Sequence, residues 1–312
     1  MITDSSMNKS FFGCWPTMIT PFTVDDRIDY TAVRNLTEKY IASGCDGIFA
    51  VCQSSEMFFL KEDEKLDLAK AVVKAAAGRV PVFASGHTSD DKSKQIEELG
   101  RMAETGVDAV VLVSNRLAGK DEGDDVLRRN FENIVRQLPE TRFGMYECPY
   151  PYLRLLSTDF IQDCAKNETL LSLKDVSCNI NVLKERIAAI GGTKFALFNA
   201  NTATLLDFFI AGGDGYNGVM GNFHIDLYKW LYTHFDTEPE LSRELSDFLT
   251  VAASLEARAY PVNAKYHCNT TGVPMDLHTR SRDISVFNEN ARLEVDSLIR
   301  LENIMRKRLG IF

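Results

Sequence analysis

The sequence of 312 residues predicts an α/β fold, a closed (β/α)8 (TIM) barrel with a C-terminal helical extension. Three observations carry that expectation. Short apolar runs alternate with longer amphipathic ones, as buried parallel strands alternate with covering helices. Eight such units crowd into about 230 residues, which suits a closed barrel better than an open doubly wound sheet. Neither GxGxxG nor GxxxxGK(S/T) occurs, which weakens the nucleotide-binding α/β alternatives.

In chain order the strand candidates are "CWPTMI", "GIFAVC", "VPVFAS", "DAVVLVS", "RFGMYE", "LLSL", "KFALFN" and "GYNGVM". Each is short and apolar, as a strand buried on both faces must be. The helix candidates between them run from "DYTAVRNLTEKYIASG" to "NTATLLDFFIAGG". In "KEDEKLDLAKAVVKAAAG", Leu66, Leu68, Ala69, Val72 and Val73 recur at helical spacing. Several of these segments open on Asp, Ser or Asn and close on Gly, as helix caps do. The barrel is placed over residues 1–225. Residues 226–312 read as a helical region, through "DLYKWLYTHF", "ELSRELSDFLTVAASLEARA" and "SVFNENARLEVDSLIRLENIMRKRL".

Composition narrows the partners. The chain is 45% hydrophobic and 25% charged, with a net charge of -9, which argues against nucleic acid or an anionic membrane. The seven cysteines are odd in number and scattered, with no CxxC pair, so reduced thiols and a cytoplasmic location are expected. "MITDSSMNKS" has no signal-peptide core, and no stretch approaches the length of a transmembrane helix. The five histidines show no metal-ligand spacing, so no metal is expected.

In such barrels the reacting groups sit at the C-terminal ends of strands. "LLSLKD" ends on Lys174 with Asp175 behind it, and "GMYECPYPY" carries Tyr146 one βα unit earlier. A lysine is almost never fully buried unless it is paired or employed. Two readings are open at this point. Lys174 ends its strand in solvent, or it is a desolvated amine with a lowered pKa that condenses with a ketone. In the second reading the Tyr146 phenol carries protons.

Collinear motifs decide between them. "ITPF" (Ile19 to Phe22), "GCDGIFAV" leading to Glu56, Tyr146 with Pro149, and Lys174 with Asp175 stand in one order across nearly the whole chain. "RAYPVNAKYHCNTTG" follows in the tail. This set resembles the dihydrodipicolinate synthase / N-acetylneuraminate lyase superfamily of class I, Schiff-base-forming aldolases. The resemblance implies that Lys174 forms the imine and that Tyr146 is its proton-handling partner. It implies that Ser54 and nearby backbone N–H groups hold the substrate carboxylate, with Gln53 and Ser55 as further substrate-binding residues, in a loop where relatives read Gly-Thr-Thr-Gly-Glu. It implies a homo-oligomer, a tetramer or a dimer.

The departures from the family are specific. Gln53 stands where relatives have a hydroxyl in the proton relay. Pro151 stands where dihydrodipicolinate synthases carry an arginine for aspartate semialdehyde, and proline supplies no donor. "VSNRLAGKDEG" lacks the tyrosine that those enzymes contribute across a subunit contact. These changes argue against the lysine-biosynthetic reaction, and the altered loop also weakens assignment as a sialic acid lyase.

Lesser candidates complete the set. Asn199, Asn201 and Asn217 bind substrate hydroxyls or satisfy backbone groups. Glu56 and Asp175 read as supporting carboxylates, His87 as a helix-capping loop residue, and Arg116 and Arg154 as solvated or structural. The expected activity is a cofactor-independent carbon–carbon lyase acting on pyruvate or a related 2-oxo acid, with an aldehyde partner. The alternatives are a 2-oxo sugar acid dehydratase or hydratase-aldolase using the same imine, and a catalytically silent barrel that binds a keto acid.

Overall fold

The computed structural model describes residues 11–311. Eight parallel strands form one curled sheet in the order β1-β8-β7-β6-β5-β4-β3-β2. They are β1 (Gly13–Cys14), β2 (Ile48–Phe49), β3 (Val82–Ala84), β4 (Ala109–Val113), β5 (Phe143–Tyr146), β6 (Ser172–Asp175), β7 (Ala196–Asn199) and β8 (Gly215–Tyr216). Closure falls between β2 and the chain that leaves β1. The Phe49 N–H donates to Pro16 O (3.1 Å), the Met18 N–H to Phe49 O (2.9 Å), and the Asp46 N–H to Cys14 O (3.0 Å). The barrel predicted from the alternation is present.

The covering helices are α1 (Tyr30–Ala42), α2 (Glu62–Ala76), α3 (Lys92–Ala103), α4 (Ser114–Leu117), α5 (Asp124–Gln137), α6 (Thr158–Lys166), α7 (Ile180–Ile190), α8 (Leu205–Ile210) and α9 (Gly221–His234). Several of them start on capping side chains of the kind expected from the sequence, although α7 begins at Ile180, one residue before the segment read from Asn181. Asp29, Asp91, Ser157 and Asn179 each accept hydrogen bonds from the first-turn N–H groups of α1, α3, α6 and α7. The segment after β4 contains the short helix α4. Residue 225 lies inside α9, whose backbone is interrupted at His224 (φ -147°, ψ 58°).

Beyond α9 come α10 (Pro239–Ala252), α11 (Val262–Thr270) and α12 (Glu289–Arg308). Helix α11 was not read as an element, because lysine, histidine and asparagine dilute its apolar face; Asn263, Lys265 and His267 are all buried. The extension packs on the barrel through a charged core. His224 Nδ1 on α9 lies 2.7 Å from Glu302 Oε1 on α12, and His267 Nε2 on α11 lies 3.0 Å from Glu302 Oε2.

Aromatic rings fill part of the barrel interior. Trp15 meets Phe83 edge-on at 4.8 Å and Phe198 at 5.4 Å between centroids, so chain just past β1 joins β3 and β7 in one layer. Strand β1 reaches β8 closely because Gly13, at φ +101°, pairs with Gly215. A Cβ on Gly215 would fall against Gly13 O.

Candidate active site

Side-chain alternation decides which residues enter the barrel. Strand β6 continues through Lys174 and Asp175, so these two neighbours face opposite ways. Tyr146 and Lys174 are register partners on β5 and β6. Tyr146 also meets Phe49 of β2 edge-on at 5.8 Å, a contact that spans the lumen because β2 and β5 are not neighbours. The Lys174 Nζ sits above both rings, 4.6 Å from the Tyr146 centroid and 5.7 Å from that of Phe49.

Lys174 is 7% exposed, and among the described residues no carboxylate pairs with its Nζ. Burial therefore brings the amine down to about 8, with weaker opposing pulls from Cys52, Cys148 and Glu256. Burial likewise pushes the Tyr146 phenol well above its ordinary value, so it stays a neutral donor. Its hydroxyl donates to Gln53 Oε1 at 3.2 Å, and the Cys148 thiol donates to the same oxygen at 3.4 Å. An amide oxygen receives these bonds but passes no proton on.

The outward-facing neighbours hold the strand ends. Arg186 of α7 lies in the core, with Nη2 2.7 Å from Glu147 Oε1 and Nη1 bonded to Asp175 Oδ2. Glu147 also accepts from the Leu156 N–H (2.8 Å) and the Val176 N–H (3.2 Å). One guanidinium thus ties together the residues that follow Tyr146 and Lys174, giving Asp175 the supporting role read for it.

Above Lys174 opens a cavity of about 810 Å³, lined by Gln53, Ser54, Tyr146, Lys174 and an aromatic rim of Phe58, Phe59, Tyr150 and Tyr260. The C-terminal extension roofs it with two segments. One is the 3-10 turn Ala253–Ala257 after α10, which carries Glu256; the other is Ser281 to Asp283. Asn263 Nδ2 braces the first by donating to Leu255 O (2.9 Å) and Arg258 O (2.6 Å). Glu56 anchors the second, accepting from the N–H groups of Arg280 (2.7 Å) and Ser281 (2.6 Å). Burial raises the Glu256 carboxyl to about 7, with Lys174 pulling the other way.

The model of the dihydrodipicolinate synthetase family matches residues 10–301.

The chain belongs to the dihydrodipicolinate synthetase family.

Its family relatives include the 4-hydroxy-tetrahydrodipicolinate synthase of Staphylococcus saprophyticus, 24% identical over 261 residues that cover 83% of this chain and 86% of that one. Among solved structures, a dihydrodipicolinate synthase from Bacillus anthracis superposes with a TM-score of 0.84 at 22% identity, covering 93% and 98% of the two chains. YagE of Escherichia coli, a prophage protein of the dihydrodipicolinic acid synthase family solved in complex with pyruvate, gives 0.83 at 19% identity, covering 97% and 98%.

Of the family positions named from the sequence, Lys174, Tyr146, Gln53 and Ser54 converge on the cavity. Ser54 shares a 3.1 Å hydrogen bond with Thr17 Oγ1. Three others are turned elsewhere. The Ser55 hydroxyl is directed at the Met18 and Ala50 carbonyls, one on the chain after β1 and the other just past β2. Asn199 bonds Thr204 Oγ1 (2.9 Å) and the Asn201 N–H (2.8 Å), and it is Asn201 that lines the cavity. Asn217 is buried beside the lining residue Gly218. Each stands one or two positions from a lining residue, and alternation or a turn points it away.

The arginines near Pro151 are occupied. Arg154 donates to Gly119 O and Glu122 O, both at 2.8 Å, and Arg116 pairs with Asp90 over the Phe58 ring. His87 is a tie between strands, not a cap. Its Nδ1 accepts the Val113 N–H at 3.1 Å, and burial lowers it to about 3. The sequence reading missed Glu256, Tyr260 and Arg282, since no local signal marks a tail residue that folds back over a barrel mouth. The only signal within reach is the family-like tail around Pro261.

Proposed function

We propose that this protein is a lysine Schiff-base carbon–carbon lyase, or its synthetic reverse, acting on pyruvate or a related 2-oxo acid. The observation that carries the reading is the buried Lys174 amine, brought to about 8 and set against the Tyr146 phenol. Near neutral pH a usable fraction of that amine is free to add to a keto carbon. Tyr146, a neutral donor, protonates the departing hydroxyl so that water leaves and the imine forms. Ser54 and backbone N–H groups of its loop receive the substrate carboxylate. The cationic imine then draws off the electron pair of the breaking carbon–carbon bond and leaves an enamine.

The dihydrodipicolinate synthase reaction is not the reading supported. Pro151 offers no cation, Arg154 and Arg116 are engaged elsewhere, and Lys174 and Arg282 are the positively charged lining residues. The rim of Phe58, Phe59 and Tyr150, with the Phe58 and Tyr150 rings 4.8 Å apart, supports the hydratase-aldolase variant, in which an aromatic aldehyde leaves.

Incubation with pyruvate, reduction with borohydride and peptide mass analysis test the proposal. An adduct on Lys174, absent in Lys174→Ala, is expected; no adduct with any 2-oxo acid leaves a silent keto-acid-binding barrel. A panel of aliphatic and aromatic aldehydes, followed by pyruvate consumption, then separates the aldolase variants.

A further inference from the structure

We infer that Glu256 is a second proton-handling residue of this site, taking a methyl proton from the imine that Lys174 forms with a 2-oxo acid and later giving it to the aldehyde oxygen. The inference rests on the lysine-imine reading and adds a base from outside the barrel.

Three carboxylates line the cavity, and two are committed. Glu56 is held by the Arg280 and Ser281 N–H groups, and Asp283 on the rim accepts the Ser285 N–H at 2.8 Å. Among the described residues, the Glu256 carboxylate has neither a hydrogen-bond nor an ion-pair partner, although its turn is braced on both sides by Asn263. The residue is only half-buried, so its unpaired carboxylate stays open to the cavity. It shares that cavity with Lys174, where a base can meet an imine formed on the lysine.

The barrel itself lacks such a group. The Tyr146 proton points at Gln53 Oε1, which has no hydroxyl to reload it. A general base works best with a pKa near the operating pH, and Glu256 lies at about 7. The groups facing it are Lys174, Cys178, Tyr216, Tyr228 and Tyr260, with Arg282 and Asp283 on the rim. Burial pushes the three tyrosines upward and keeps them neutral, so Lys174 is the interior charge that sets Glu256.

The steps balance. Lys174 Nζ adds to the keto carbon and water leaves, giving a protonated imine. Glu256 accepts one methyl proton; the carbon–hydrogen pair becomes the new carbon–carbon double bond, and the imine π pair returns to nitrogen. The transfer cancels a cation and an anion together in a desolvated cavity, which favours it. The enamine carbon then attacks the aldehyde, whose oxygen takes the proton back from Glu256, and water hydrolyses the imine.

Exchange of the pyruvate methyl protons in heavy water, followed by proton NMR, reads this step without any aldehyde. Wild-type protein is expected to form the Lys174 adduct and to exchange, with an acid limb near pH 7. Glu256→Gln should keep the adduct, lose exchange by about 100-fold or more, and lose that limb. Glu256→Asp should restore part of the exchange. A Glu256→Gln protein with adduct and wild-type exchange overturns the inference. So does wild-type adduct without exchange, or a normally melting Gln variant without adduct, whose defect precedes proton transfer. Wild-type protein without any adduct overturns the lysine-imine reading itself.

Discussion

Tyr146 and Lys174 are paired residues of the β5–β6 ladder, so a single strand register sets the phenol and the amine side by side on the inner wall of the barrel. The residues that follow them, Glu147 and Asp175, share Arg186 on the outer side. A slip of one residue would exchange the two sets and put carboxylates in the lumen. The outer ion cluster therefore guards the register on which the inner pair depends.

The buried amine should cost stability. Burial lowers Lys174 from 10.5 to about 8, so between those values the unfolded chain holds a proton that the folded chain has released. Stability then rises with pH across that window. Lys174→Met should be more stable than wild type by up to about 3 kcal/mol below pH 8, the gap closing by pH 10.5. Urea denaturation at pH 7, 9 and 10.5 measures this; equal stability at pH 7 would contradict a desolvated amine.

Removing one oxygen should separate proton transfer from packing. Tyr146→Phe keeps the ring under Lys174 and loses the hydroxyl with its bond to Gln53, at a stability cost of about 1 kcal/mol. The rate at which the reducible pyruvate adduct accumulates should fall by about 100-fold or more. An unchanged rate would remove Tyr146 from imine formation.

Arg186 should matter more than its distance from the lumen suggests. Arg186→Met leaves Glu147 and Asp175 as buried carboxylates without their counter-charge, a loss of about 3–5 kcal/mol at neutral pH. Part of it should return toward pH 4, as Glu147, which burial raises above its ordinary 4.5, protonates. Urea midpoints across that range test it, and a loss below about 1 kcal/mol would show the cluster to be dispensable.

The extension should come loose from the barrel in acid. Burial raises the Glu302 carboxyl, but His267 and His224 outweigh it and hold the group well below its ordinary 4.5. Its stabilisation is thus complete above that value and lost progressively as pH falls below it. Glu302→Gln should be weaker by about 3 kcal/mol at pH 7, with the difference narrowing below pH 4.5. Parallel melting curves at pH 7 and pH 3 check the prediction; a difference independent of pH would contradict it.

Much of the site was legible because it lies on strands. Alternation and the family-like order of motifs indicate Tyr146 and Lys174, and the cavity brings them together with Gln53 and Ser54. The less legible residues sit on turns. Ser55 lies beside Ser54 yet is directed at the Met18 carbonyl, and of the two asparagines read after β7 only Asn201 lines the cavity. A turn has no fixed period, so spacing cannot say which side chain faces the substrate.

By itself the sequence determined the barrel, since eight apolar runs alternating with amphipathic helices have few other ways to bury their surface. It also indicated the candidate amine and its phenol, through their places at strand ends and the family-like order of motifs. Only the tertiary structure decided what stands over them. Glu256, Tyr260 and Arg282 reach the mouth from a tail far along the chain, held by Asn263, Glu56 and the buried Glu302 cluster. Such contacts depend on how one helical extension docks onto a finished barrel, a packing event that leaves no periodic trace in the residues taking part.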